Sequence, residues 1–292
     1  MGTSDGQVLG PKKIVDAGPP ERRWNVVIVS EGYRSDEMDL FATDAKDFAD
    51  ALLAAAPFDR LRPAINIFRI DVTSTDSGAD DPVKCGGTGA KPRTYFDAKF
   101  CFDDKIRRLL GTKESKVVKV LNKHVPQWHV GFLAVNSPIS GGSGGDKIAI
   151  FSRAPGTREI AMHEMGHSAF GLADEYEYYS NCAESGHDKH GGGEPSQPNI
   201  TTNKDRTKTK WRSLIQASTP VPTTQNADCG DCDHQQSPVP VGTIGLFEGA
   251  DYYHCGVYRA EFDCRMRNLN RPFCAVCQQV IVKKLTPFLP TM

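Results

Sequence analysis

The run at 23–30, Arg-Trp-Asn-Val-Val-Ile-Val-Ser, is almost continuously apolar and of strand length. That pattern predicts a strand covered on both faces. After a turn at Glu31-Gly32-Tyr33, Ser35 caps a segment in which Leu40, Phe41, Ala45, Phe48 and Leu52 recur at helical intervals, predicting a helix over 38–53. Alternation returns at 65–72, Ile-Asn-Ile-Phe-Arg-Ile-Asp-Val. Strand, helix and strand within about fifty residues make a βαβ unit and imply a parallel pair.

Residues 1–20, rich in Gly, Pro and Lys, read as an extended lead-in. Two helices are predicted at 103–110 and 115–124, followed by buried strands at 128–136 and 147–152. Gly141-Gly142-Ser143-Gly144-Gly145 is expected as a hairpin loop between those strands. It opens no helix and carries no Lys-Ser/Thr, so it is not a phosphate cradle. From 178 to 247 the chain is polar and rich in Pro, Gly, Thr and Asn. Stretches of that length without regular structure tend to be functional, and this one is expected to wrap the site that precedes it. A final apolar helix is predicted at 273–285.

The chain has 292 residues, 39% of them hydrophobic and 24% charged, which suits a globular protein with a real core. A formal net charge of −1 gives no reason to expect a nucleic acid or an anionic membrane as partner. No apolar run approaches the ~20 residues that span a bilayer, and the first residues lack the charged-then-apolar pattern of a signal peptide. The loop Asp76-Ser77-Gly78-Ala79-Asp80-Asp81-Pro82 offers carboxylates to calcium without the fixed EF-hand spacing, so a plain surface loop is the favoured reading and Ca2+ the alternative.

Nine cysteines point to disulfides and hence to a secreted or cell-surface protein. The close pairs Cys229/Cys232 and Cys274/Cys277 have the spacing of a four-cysteine structural zinc site, which is the alternative reading. The odd count leaves at least one thiol or an intermolecular bridge. His187, His190 and His234 read as loop histidines, and Asn199-Ile200-Thr201 has the form of a glycosylation acceptor.

The chemistry gathers at His163-Glu164-Met165-Gly166-His167-Ser168-Ala169-Phe170-Gly171-Leu172-Ala173-Asp174-Glu175-Tyr176. Histidines four residues apart on a helix project from one face and can share a zinc ion. Glu164 then stands beside the metal, placed to act as general base on a water. Thr157 is expected to cap this helix and Gly171 to end it. A catalytic zinc takes three protein ligands and keeps one position open; Asp174 is the expected third ligand and Glu175 the fallback.

H-E-x-x-H, then a Gly and an acidic residue, then Met266 late in the chain, is an order similar to that of metzincins, where the Met lies beneath the metal. The Gly comes one place late and a third His is missing. That variation, H-E-x-G-H-S-x-x-G-L-A-D-E-Y, resembles the IgA-peptidase family of zinc metallopeptidases. Glu31-Gly32-Tyr33, residues 76–82 and 141–145, Gly193-Glu194-Pro195 and residues 258–277 resemble it too, so the likeness covers most of the chain from about residue 20. It implies His163 and His167 as ligands of one catalytic zinc, Glu164 as general base and Met266 as the Met-turn. Tyr258 is a candidate to stabilise the oxyanion, with a structural role the equal alternative.

The expected fold is therefore α/β (α+β) and zincin-like, with a twisted mixed sheet, an active-site helix, and an irregular C-terminal subdomain holding the Met-turn and final helix. After the lead-in, residues 21–292 form one catalytic domain, with an upper subdomain at 21–171 and a lower one at 172–292. The expected activity is zinc-dependent endoproteolysis of a protein or peptide substrate. The rivals are a non-proteolytic binding or adhesion module on the same scaffold, which an intact Glu164 argues against, and a zinc hydrolase of a non-peptide amide.

Overall fold

A computed structural model describes residues 5–179 and 181–290. The chain divides into two compact units, one of residues up to Ala169 with those from Leu285 onward, the other Phe170–Lys284.

The first unit is built on strand β2 (Trp24–Glu31), buried at every position as its unbroken apolar run requires. Around it run β1 (Gly6–Val15), β3 (Ile65–Ser74), β4 (Val130–Val135), β5 (Gly142–Gly144) and β6 (Ile148–Ser152). Their order in the sheet is β1-β3-β2-β4-β6-β5. β3, β2, β4 and β6 are parallel neighbours, and β1 and β5 close the two edges antiparallel. The mixed α/β architecture is the one the sequence predicts.

Helix α1 (Met38–Ala54) buries Phe41, Ala45, Phe48, Ala49, Leu52 and Leu53. Phe48 stacks at 4.6 Å on Phe132 of β4 and at 5.0 Å on Phe151 of β6. Helix α2 (Glu114–His124) contributes Val117, Val120 and Leu121 to a core shared with Val27, Val29, Ile70, Leu133 and Ile150. At the end of β2, buried Glu31 accepts hydrogen bonds from Thr94 Oγ1 and from the backbone N–H groups of Phe96 and Ala98. Beyond it Gly32 has φ +70°, and a Cβ there would stand 2.0 Å from the Gly78 carbonyl oxygen. Only glycine fits.

Several expectations are corrected. The lead-in is extended, but it belongs to the sheet, where residues 6–15 pair as edge strand β1 along β3. Residues 103–110 form no helix, because Asp103 turns its carboxylate onto the N–H groups of Lys105 and Ile106 and so replaces the helical bonds. The glycine segment expected as a loop is itself β5, which forms the sheet edge beside β6. In the 76–82 loop, Asp76 pairs with Arg93 and Asp81 with Arg107. Those carboxylates are occupied by guanidinium groups. Among the described residues no set of three His, Cys, Asp or Glu side chains that could hold a metal forms there.

In the second unit, β7 (Ile200–Thr201), β8 (Phe247–Ala250) and β9 (Tyr253–Arg259) form an antiparallel sheet in the order β7-β9-β8, and helix α4 (Ala275–Leu285) follows. Its long irregular stretch is stapled by disulfides Cys182–Cys232 and Cys229–Cys255, while Cys85–Cys101 lies in the first unit. Cross-links of this kind support loops that enclose little apolar core. Cys229 and Cys232 thus go to different partners, so the expected disulfides form and the alternative four-cysteine set does not. Asn199 is fully buried and bonds both backbone groups of Ala173, so it is a strut and not a glycosylation site. No helix among the described residues is long and apolar enough to cross a membrane.

Candidate metal centre

Helix α3 (Thr157–Phe170) follows Pro155 and Gly156, the latter at φ +83°. Thr157 lies inside its first turn and donates its hydroxyl back to the Ala154 carbonyl at 2.7 Å; it does not accept a capping bond as expected. Gly171 ends the helix at φ +65°, the left-handed stop that its position implies. Ala161, Met162 and Met165 face the interior.

The helical rotation of 400° between residues four apart puts His163 and His167 on one face. Their Nε2 atoms are 3.2 Å apart and their rings meet edge to face. Two nitrogens each about 2.05 Å from one tetrahedral ion stand about 3.3 Å apart, so the observed spacing fits zinc. His163 is buried and His167 half-buried. Glu164, on the neighbouring face, lies against β5: a Cβ added to Gly144 would stand 2.4 Å from Glu164 Oε2. The outer strand of the sheet therefore runs directly past the carboxylate.

Asp174 belongs to the second unit and is buried. Its carboxylate accepts the hydroxyl of Tyr252, and its carbonyl accepts the N–H of Asp251 at 3.0 Å. Asp251 and Tyr252 form the two-residue apex of the β8–β9 hairpin, at φ 52° and 67°. Positive φ at both positions is the type I′ geometry normally given to Asn-Gly or Gly-Gly. Two side-chain-bearing residues hold it here, at a cost of order 1 kcal/mol each. The turn brings Tyr252 to Asp174 and its N–H to the Tyr176 carbonyl at 3.1 Å. Burial, and then the adjacent Asp174 carboxylate, keep the Tyr176 phenol protonated. Tyr252 has no signal in the sequence, because Asp-Tyr does not announce a tight turn.

Met266 is fully buried in a tight turn closed by the Arg267 N–H on the Cys264 carbonyl at 2.9 Å. Its own carbonyl accepts the Glu175 N–H at 2.8 Å. Glu175, the fallback ligand, directs its carboxylate at Asn199 (2.9 Å) and Cys277 (3.7 Å). Tyr258 is fully buried and donates its hydroxyl to Glu248 Oε1 at 2.9 Å, an oxygen that also accepts the Gly256 N–H. Burial and then Glu248 raise the Tyr258 pKa, which suits a strut. His187 and His190 pack on Tyr253, and His234 pairs with Asp231 at 3.1 Å.

A family model described as IgA Peptidase M64 matches residues 13–237 and 232–285, spans that contain every residue of the expected site. A comparison with curated proteins returned no match.

Proposed function

The chain belongs to the IgA peptidase M64 family and is accordingly a peptidase; from that premise we propose a zinc-dependent endopeptidase of metzincin-like design, with Glu164 as its general base. The observation that carries the proposal is the 3.2 Å separation of the His163 and His167 Nε2 atoms, the spacing of two ligands on one tetrahedral ion.

Asp174 is the proposed third ligand. It lies seven residues past His167, within reach of an extended segment, and Tyr252 orients its carboxylate in the way outer partners orient metal ligands. Glu175 is set aside because its carboxylate faces Cys277. Met266 is retained as the Met-turn, and Tyr258 is left out of the chemistry because its hydroxyl serves Glu248.

When bound, the metal supplies a Lewis acid that polarises the scissile carbonyl and acidifies water. Glu164 takes the proton of the attacking water and then delivers it to the departing amine. The substrate is proposed to lie extended along β5. Gly142 already exchanges bonds with Arg108 and Leu110 on its outer side. By the two-residue period of a strand, the N–H and C=O of Gly144 face the same way, beside Glu164. Three disulfides support a secreted or cell-surface setting.

The test is hydrolysis of a denatured protein mixture by the wild type and by Glu164→Gln, with metal content measured on both. The wild type should cleave, and the variant should lose cleavage while holding the same zinc. Undiminished cleavage by the variant overturns the role of Glu164, and a zinc-loaded wild type that cleaves nothing overturns the peptidase mechanism in favour of a binding module.

A further inference from the structure

The second unit holds a cluster that the peptide chemistry does not use. Cys264, Cys274, Cys277 and Glu175 are all buried, and their ligand atoms lie within 4.8 Å of one another. None of these cysteines is in a disulfide. Cys264 Sγ and Cys277 Sγ are 3.7 Å apart, far beyond the ~2.05 Å of an S–S bond. Two sulfurs each about 2.3 Å from one tetrahedral zinc stand about 3.8 Å apart. The spacing is that of ligands to a shared ion.

The Glu175 carboxylate points the same way. Its Oε1 is 3.7 Å from Cys277 Sγ, close to the ~3.6 Å expected between a sulfur and an oxygen on one tetrahedral zinc. Asn199 also bonds Oε1, but Oε2 is buried with no hydrogen-bond partner. An orphaned buried carboxylate oxygen is costly unless something coordinates it. The backbone also favours thiolates here. The Cys274 N–H donates to Cys264 Sγ at 3.2 Å and the Cys277 N–H to Cys274 Sγ at 3.5 Å. Cys274 directly precedes α4, whose N-terminal end attracts negative charge.

The geometry points to a second, structural zinc site whose four ligands are Cys264, Cys274, Cys277 and Glu175. Binding releases the three thiol protons to solvent and leaves a closed coordination sphere with no position for water, the mark of a structural rather than a catalytic ion. The ion would join the segment after α3 to the Met266 turn and the start of α4. The Glu175 N–H to Met266 carbonyl bond already spans two of these. Because Glu175 adjoins Asp174, the site also fixes the backbone that carries Asp174.

Metal analysis on the full chain expressed with zinc tests this. A His163→Ala/His167→Ala double variant is expected to keep about one zinc per chain, and adding Cys264→Ser and Cys277→Ser should remove it. With cobalt in place of zinc, the double variant should show the near-ultraviolet thiolate-to-metal charge-transfer absorption that nitrogen and oxygen ligands do not give. A readout that needs no variant is the thiol count of the wild type, denatured with chelator and without reductant, where all three cysteines outside disulfides should react. A single reactive thiol, which means that a disulfide has closed within the cluster, overturns the proposal. So does a metal-free double variant with all three thiols reactive. Neither the zinc content of the double variant nor the thiol count depends on peptide hydrolysis, so failure of hydrolysis leaves both unaffected.

Discussion

Gly144 of the edge strand and Glu164 of helix α3 approach so closely that a Cβ on the glycine would meet Glu164 Oε2 at 2.4 Å and Glu164 Cβ at 3.2 Å. A methyl group at Gly144 must therefore push the carboxylate aside. Displacing a catalytic group by about 1 Å can lower the rate about 100-fold. Gly144→Ala is expected to lower kcat by one to two orders of magnitude with zinc content unchanged. Steady-state kinetics beside metal analysis decide it; an unchanged kcat shows that Glu164 does not depend on the bare strand edge.

Tyr252 reaches Asp174 through its hydroxyl, so Tyr252→Phe removes that hydrogen bond and little volume. Loss of such an outer partner typically weakens metal binding 10–100-fold. Competition with a chromogenic chelator should show that drop for the catalytic ion, with the unfolding temperature nearly unchanged. Equal affinity in the two proteins would remove Tyr252 from the site.

How far the sequence reveals these features depends on the range of the physics involved. His163, Glu164, His167 and the Gly171 stop form one local pattern on one helix, and β2 announces itself by its apolar run. β5 carries glycine at two of its three positions, so no side-chain alternation marks it, and its place at the sheet edge is a long-range outcome. Asp103 breaks the helical reading of 103–110 through a side-chain bond that periodicity does not capture. Cysteine spacing cannot give connectivity: Cys229 and Cys232, three residues apart, join Cys255 and Cys182 respectively.

Glu31 gives the protein a pH dependence of known sign. Burial raises its pKa from 4.5 to about 7, against the opposing effect of its donors Ala98, Thr94 and Phe96. Between those two values the folded chain holds a proton that the unfolded chain has released. The contribution is therefore fully present below pH 4.5 and is lost as pH rises through about 7. The whole shift corresponds to about 3 kcal/mol. Urea denaturation of wild type and Glu31→Gln from pH 5 to 8 should show the wild type losing stability relative to the variant. Parallel profiles would mean that Glu31 stays ionised throughout.

The last prediction concerns an ion pair inside the second unit. Glu177 and Arg259 are each about 1% exposed, with Arg259 Nη1 3.4 Å from Glu177 Oε1. Arg259 Nη1 also donates to the Glu248 carbonyl at 2.8 Å, and Glu177 accepts the Asp233 N–H at 2.7 Å and Arg267 Nη2 at 3.3 Å. Both charges are thus held by several partners that link β8, β9 and the loop near the Cys182–Cys232 disulfide. Removing Arg259 leaves buried Glu177 to the half-buried Arg267, and breaking one member out of a buried pair typically costs about 3–5 kcal/mol. Arg259→Met is expected to fall in that range. Glu177→Gln/Arg259→Met should lose less than the sum of the single changes, because neither fully buried charge of the pair remains. Strict additivity in a double-mutant cycle by urea denaturation would show that the two side chains act independently.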